Sequence, residues 1–330
     1  MIRKTAITAA ALAASVGVAK AEMPPQINFG IISTESASAL EKSFQPFLDD
    51  MSKSLGVIVK PFFASDYAGV IEGMRFKKVD IAWFGNKSAI HAVDRAGGEV
   101  FAQTIKDDGS NGYHSLLITQ ANSKISTLQD VLKCDKMLTF GNGDPNSTSG
   151  FAIPGYYVWA LNNKTPEECF KRVTSSNHEG NAMAVANAKV DIATNNTESI
   201  YARLAKNRPE ATAKIKEIWR SPLIPSDPLV WRADLAPDAK QKLYYFFMQY
   251  GRFGDITKVK HERGVLANLS DGWGPFLASS NAQLLDVRQI EAFKNKLKAE
   301  RKGDAAAVAK ADADLARLAE VAEIVGKAGY

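Results

Sequence analysis

Apolar and polar positions follow two rhythms along this chain. Short apolar runs, "INFGIIS", "VIVKPFFA" and "DIAWFG" early and "MLTF", "FKRV" and "DIATNN" in the middle, have the length and side-chain character of strands. Between them lie stretches of helical periodicity. "SALEKSFQPFLDDMSKSLG" sets Leu40, Phe44, Phe47, Leu48 and Met51 on one face and stops at Gly56. "YAGVIEGMRFKKV" and "EGNAMAVANAKV" read the same way, each running into a "VDIA" strand. Strands alternating with helices predict an α/β fold with a largely parallel sheet. The echo between "GMRFKKVDIAWFGN" and "AVANAKVDIATNN" predicts two similar lobes, with polar loops at strand ends where open α/β sheets bind ligands.

The later chain breaks this rhythm. "SPLIPSDPLVW" holds three prolines and predicts an extended crossover between lobes. "APDAKQKLYYFFMQYG" predicts an aromatic, amphipathic core helix. From Ile290 to Gly326 the chain is rich in Ala, Lys, Asp and Glu and lacks proline, with Leu315, Leu318, Val321 and Ile324 as a thin apolar stripe. One or two surface helices are expected there, either capping a lobe or meeting a partner or a second copy.

Composition adds compartment and excludes some classes. At 330 residues the chain is long enough for two domains, and 45% hydrophobic with 23% charged residues is the balance of a folded soluble protein. "MIRK", the apolar "TAITAAALAASVGVA" and "AKA" before Glu22 predict a secretory signal peptide, residues 1–21, cleaved after Ala21. The apolar run is too short for a membrane span. Arg3, Lys4 and Lys20 leave with it, so the formal charge falls from +5 to +2 (5 − 3). With no clustered basic face or recognisable module, a nucleic-acid partner is not expected.

Cys134 and Cys169 suit an oxidising compartment. They precede "MLTF" and "FKRV", two strand starts that a strand–helix–strand unit places at one end of the sheet. A disulfide and a pair of unlinked core thiols both fit that placement. Two cysteines alone build no zinc site, the histidines lack H-E-x-x-H spacing, and no cofactor is called for.

The richest polar stretch is "GNGDPNSTSG", just ahead of the apolar "FAIPGYYVWAL". A helix starting near Ser147 to Gly150 presents unpaired N–H groups and the positive end of its dipole. Ser147 alone reads equally as an N-cap. Three consecutive hydroxyls, Ser147, Thr148 and Ser149, fit a socket for an oxyanion. The stretch misses G-x-G-x-x-G at Asn146 and has no G-K-[ST], so neither nucleotide motif is present. Glu198 in "ATNNTES" and Asp227 in "PSDP" are loop acids by themselves; beside an anion socket they imply a zwitterionic ligand with its amine between two carboxylates. Tyr67, Tyr113 and His178 sit in loop or turn contexts from which each could reach the ligand or simply pack. Ser147, His178 and Asp227 can be drawn as a hydrolase triad, but the chain has no G-x-S-x-G elbow, and catalysis is not expected.

From about Asn28 to Phe276 the chain resembles the periplasmic phosphonate-binding proteins of ABC importers. The resemblance is carried by "NFGIISTES", "DYAG", "GMRF", "KVDIAW", "GNGDPNSTSGF", "PGYYV", "AVAN", "VDIATNNTE" and "SPLIP". It implies a two-lobed periplasmic binding protein fold, type II-like, with a hinged cleft, no enzymatic activity, and delivery of ligand to an inner-membrane permease. The expected lobes are residues 22–118 with 228–289, and 119–227, followed by a helical tail at 290–330, with the protein a monomer or a homodimer through that tail. The family's phosphonate contacts fall on Ser147, Thr148, Ser149, Tyr67, Tyr113 and His178. The amine contacts of members preferring 2-aminoethylphosphonate fall on Glu198 and Asp227. Phe84 departs from the tyrosine of close relatives. Phosphate, phosphite or another oxyanion is the alternative ligand.

Overall fold

A computed structural model describes residues 23–327 apart from position 271; the expected signal peptide lies outside the described residues. Thirteen strands appear in chain order among the described residues. The first four are β1 (Gln26–Ile31), β2 (Ile58–Phe62), β3 (Ile81–Trp83) and β4 (Gly98–Gln103). They are followed by β5 (Gly112–Tyr113), β6 (Ser115–Gln120), β7 (Thr139–Asn142), β8 (Arg172–Ser175) and β9 (Ile192–Asn196). The last are β10 (Ile215–Arg220), β11 (Ile224–Pro225), β12 (Pro228–Arg232) and β13 (Leu277–Ala278).

These strands form two sheets of matching plan. The six-stranded sheet runs β13-β4-β12-β3-β1-β2 and the five-stranded sheet β10-β6-β9-β7-β8. In each, three parallel strands built by strand–helix–strand crossovers (β2-β1-β3, and β8-β7-β9) meet an antiparallel strand, β12 or β6, by which the chain arrives from the other lobe. The sheets are therefore mixed, not largely parallel. The two "VDIA" phrases occupy equivalent places, β3 and β9, each next to the arriving strand. The two interlobe crossings are tied by a two-stranded link in which β5 pairs with β11, Ile224 opposite Tyr113.

The first lobe's sheet takes β12 and β13 back from the later chain, and all of β6 belongs to the second sheet. The lobe boundary thus falls ahead of Ser115, earlier than the expected 118, which cuts through β6. "SPLIPSDPLVW" is extended as expected, yet most of it becomes β11 and the central β12. Pro228 opens β12, where a missing N–H is tolerated.

The first lobe's core is aromatic. Helix Ala37–Leu55 buries Leu40, Phe44, Phe47, Leu48 and Met51 and ends at Gly56 with φ 68°, a left-handed turn that favours glycine. Phe44 stacks on Trp83 at 5.6 Å, and Trp273 meets the same indole edge-on at 5.5 Å. In the second lobe the alternation of β6 divides the core: Leu116 and Ile118 pack with Ala182 and Val185 on one face, and Leu117 with Phe140, Trp159 and Phe170 on the other. Cys134 and Cys169 are joined by a disulfide ahead of the paired strands β7 and β8.

Two long helices form the tail, Leu285–Lys302 and Ala305–Lys327, so it begins at Leu285 and not at 290. The first spans both lobes. Arg288 pairs with Asp94 on the first lobe at 2.6 Å, while Arg301 pairs with Glu168 and Phe293 meets Tyr156 on the second. Of the expected apolar stripe, Leu318 is buried whereas Ile324 is 62% exposed. Among the described residues, no helix is long and apolar enough to cross a membrane.

Candidate functional site

The interlobe cavity is lined by Ile32, Thr34, Tyr67, Trp83, Gly85, Tyr113, Ser147, Thr148, Ser149, His178, Asn196, Glu198, Arg203 and Asp227. All eight residues expected to touch ligand are therefore brought together. The lobes are closed upon one another and leave about 10 Å³ between them, the room of a single water. Admission of a larger molecule requires them to part.

Local sequence explains the hydroxyl socket. Gly143 and Gly150 meet back to back: Gly143 N–H donates to the Gly150 carbonyl at 3.0 Å, and a Cβ on Gly143 would sit 2.5 Å from Gly150 Cα. Only glycine permits that approach, and it turns residues 144–149 into the cleft. Asp144 fixes the turn through Asn146 N–H at 2.7 Å and takes the Tyr67 N–H from the other lobe at 3.2 Å. Ser147 caps the helical run that follows, its Oγ accepting from Gly150 N–H at 3.0 Å. The first turns of this run are wide, π-type.

Ser147, Thr148 and Ser149 are each 2% exposed, and their hydroxyls have different neighbours. Thr148 Oγ1 accepts the Lys87 N–H at 2.9 Å, reaching the start of the first-lobe helix Asn86–Ala96. Ser149 Oγ accepts from Asn196 Nδ2 at 3.0 Å. His178 Nε2 stands 3.4 Å from both Ser147 Oγ and Ser149 Oγ. His178 is the first residue of helix His178–Ala186, capped by Asn177. Burial, and secondarily Arg203, lowers its pKa to about 3, so the imidazole is neutral and offers one N–H donor. Helix N-termini of both lobes, at Tyr67, Gly85, Ser147 and His178, thus open onto one cavity. That convergence favours an anion.

Two carboxylates line the same cavity. Asp227, just ahead of β12, accepts from Tyr113 Oη at Oδ1 and Trp83 Nε1 at Oδ2, both at 3.0 Å. The indole is held by its aromatic neighbours, so the carboxylate is aimed and not loose. Burial, then Asp227, then Glu198 raises the Tyr113 pKa well above the ordinary phenol value, keeping it a donor. Burial, then Asp227, then Asp144 does the same to Tyr67. Glu198 lies at the start of a short π-type helix, Ser199–Leu204, and its Oε2 is 3.9 Å from Arg203 Nη1. A carboxylate has capacity for several donors, so both acids can still receive an ammonium.

Several lining residues do not stand out in the sequence. Asn196 shares the Glu198 loop and is legible only as a polar strand end. Trp83 reads as core and serves as a donor as well. Arg203 is five residues beyond Glu198, a spacing that diverges on an α-helix and converges on a π-turn. Phe84 is fully buried in the first lobe's core and does not line the cavity. The hydrolase triad does not assemble: Ser147 Oγ is a helix cap, a histidine with so low a pKa is a poor base, and Asp227 is engaged by Tyr113 and Trp83.

Known proteins resemble this chain in sequence and in fold. The family described as "ABC transporter, phosphonate, periplasmic substrate-binding protein" matches residues 29–284. The phosphonates-binding periplasmic protein of Escherichia coli K12 is 56% identical over 273 residues, 83% of this chain and 78% of that protein. A phosphate-import protein of Mycolicibacterium smegmatis is 29% identical over 76% of this chain and 80% of its own. Among solved structures, a binding-protein component of an ABC phosphonate transporter from Pseudomonas aeruginosa superposes with TM-score 0.85 and 52% identity, covering 90% of this chain and 97% of that one.

Proposed function

Because the chain belongs to the periplasmic phosphonate-binding proteins of ABC transporters, we propose that it captures an aminated phosphonate, 2-aminoethylphosphonate, for the membrane permease. The observation that carries this reading is the meeting of hydroxyl, imidazole and helix-end donors with two carboxylates in one cavity. Ser147, Thr148, Ser149, His178, Tyr67 and Tyr113 supply its hydrogen-bond donors, and Glu198 and Asp227 its carboxylates. Among the described lining residues, Arg203 brings a fixed cation against two carboxylates, so a bare dianion is poorly balanced there. A zwitterion places its phosphonate oxygens on the hydroxyls and helix ends and its ammonium between the acids.

In this reading the phosphonate first meets the second lobe at Ser147–Ser149, and the first lobe then closes with Tyr67 and Asp227. Charge-assisted hydrogen bonds contribute about 1.5–3 kcal/mol each, and several form only when both lobes reach the ligand. Hinge closure of this kind is absorbed by a few residues of the connecting segments. The exported form begins at Glu22 after the leader is removed.

Calorimetric titration of the ligand-stripped chain from Glu22 with 2-aminoethylphosphonate, methylphosphonate and phosphate tests the reading. The aminated ligand should bind at least about thirtyfold more tightly than methylphosphonate, since an unanswered buried charge costs about 2–5 kcal/mol. Comparable affinities for all three would return Glu198 and Asp227 to structural roles, and tighter phosphate binding would overturn the phosphonate assignment.

A further inference from the structure

Beyond the last residue of β1 the chain enters the wall of the interlobe cavity. β1 lies between β2 and β3 and parallel to both, and Ile31 at its end stands beside Trp83, a cavity residue of β3. Ile32 and Thr34, just beyond, line the cavity too. The carboxyl end of a parallel strand is where sheets of this kind present groups to a ligand.

Thr34 is 4% exposed, and both polar groups of its backbone are engaged. Its N–H donates to the Ile32 carbonyl at 2.8 Å, closing a three-residue turn, and its carbonyl accepts the Glu179 N–H of the second lobe at 3.3 Å. Two neighbours hold the same turn across the cleft. Ser36 N–H donates to Glu179 Oε2 at 2.9 Å, and Glu35 Oε1 lies 2.6 Å from Arg203 Nε. The hydroxyl differs. Thr34 Oγ1 is buried and has no hydrogen-bond partner among the described residues. Elsewhere in the cavity Tyr113, Ser147, Thr148 and Ser149 each have a hydroxyl engaged with a protein group. A buried hydroxyl left unpaired costs free energy, so a turn that needed only this shape would be served better by valine.

The place where the turn docks decides which part of a ligand the hydroxyl meets. Glu179 is the second residue of helix His178–Ala186, so Thr34 sits against the N-terminus of that helix. His178, one residue earlier, has Nε2 3.4 Å from both Ser147 Oγ and Ser149 Oγ. Thr34 therefore arrives from the first lobe beside the helix end and hydroxyls of the proposed oxyanion socket. We propose that Thr34 is a further ligand-binding residue, its Oγ1–H donating to an oxygen of the bound phosphonate once the lobes shut. This rests on the phosphonate reading of the cavity and not on the amine. A neutral donor serves aminated and plain phosphonates alike. Because Thr34 meets helix His178–Ala186 only across the closed cleft, its contact strengthens the shut form and not the first encounter.

The experiment is calorimetric titration of the ligand-stripped chain from Glu22, as wild type, Thr34→Val and Thr34→Ser, with 2-aminoethylphosphonate and methylphosphonate. Urea unfolding of each chain without ligand accompanies it. Valine keeps the branched shape and removes the hydroxyl. Affinity should fall about tenfold for both phosphonates, the scale of one hydrogen bond to a charged acceptor. Unliganded stability should hold or rise, because no protein partner is lost. Thr34→Ser keeps the hydroxyl and should stay within about threefold of wild type. Wild-type affinity in Thr34→Val would overturn the inference and leave the hydroxyl to a water. A loss that Thr34→Ser shares would overturn it in favour of methyl packing, and a matching fall in unliganded stability in favour of a structural bond. A loss confined to the aminated ligand would move the hydroxyl to the ammonium and overturn the phosphonate contact. A wild type without amine preference overturns the amine reading alone, and Thr34→Val is then judged on methylphosphonate. A wild type that binds neither phosphonate overturns both. Should Thr34→Val fail to fold, Thr34→Ala read against Thr34→Ser makes the same comparison.

Discussion

Tyr113 Oη donates to Asp227 Oδ1 at 3.0 Å across 114 positions of sequence; Tyr113 lies in β5 and Asp227 just after β11, the paired strands by which the chain passes between lobes. The bond ties the hinge to the interlobe pocket: the Asp227 carboxylate that lines it is aimed by a residue of the other connection. Tyr113→Phe removes one donor from a buried carboxylate and should weaken 2-aminoethylphosphonate binding about tenfold or more. Calorimetry, with far-UV circular dichroism to confirm the fold, measures this; unchanged affinity would mean the phenol is only packing.

Glu198→Gln should narrow the gap between 2-aminoethylphosphonate and methylphosphonate, chiefly by weakening the aminated ligand. The amide keeps the shape and loses the charge, so the loss should be about tenfold to a hundredfold. A gap of unchanged width would remove Glu198 from the amine end.

Thr148→Val should act on every phosphonate alike. It deletes a hydroxyl of the cavity and leaves the Lys87 N–H without its acceptor, so a loss of about tenfold common to aminated and plain ligands is expected. A loss confined to one ligand would contradict its place at the shared phosphonate end.

His178 makes stability depend on pH. Its folded pKa of about 3 lies below the ordinary 6.5, so between those values the unfolded chain binds more protons than the folded one. Its contribution is complete above pH 6.5 and declines as pH falls towards 3. Urea unfolding at pH 7 and pH 5 should show a loss of about 2 kcal/mol attributable to this residue. His178→Asn should flatten that part of the slope; an unaltered slope would assign it elsewhere.

The disulfide should matter to folding stability and not to ligand choice. It closes a loop of 35 positions and neither cysteine lines the cavity, so Cys134→Ser/Cys169→Ser should lower unfolding free energy by about 3–4 kcal/mol in the chain-entropy account. Urea curves with and without reductant give the first quantity. An altered ratio of affinities would show that the bridge reaches the cleft.

What can be read in advance follows the reach of the interactions. The helix burying Phe44 and Phe47 and the strands β1, β3, β7 and β9 announce themselves because one face of each is apolar at the right period. The strands β4, β6 and β10 do not stand out, and β6 and β12 acquire their antiparallel places only because the chain passes from lobe to lobe. The hydroxyl socket is legible because Gly143, Gly150 and the three hydroxyls lie within one short stretch. Glu35 and Arg203 are not, since their meeting depends on lobe closure and on a wide helical turn that no residue spacing marks.

The first lobe's sheet is assembled out of the order in which it is made. β3 and β4 follow one another closely along the chain but are not neighbours, since β12 lies between them. As the N-terminal strands emerge from synthesis, the slot between β3 and β4 stays vacant until residues 228–232 arrive, after the whole second lobe has been made. Truncation anywhere before Arg232 therefore leaves an open strand edge at the centre of the first sheet, whereas the second sheet draws all five of its strands from the unbroken stretch 115–220.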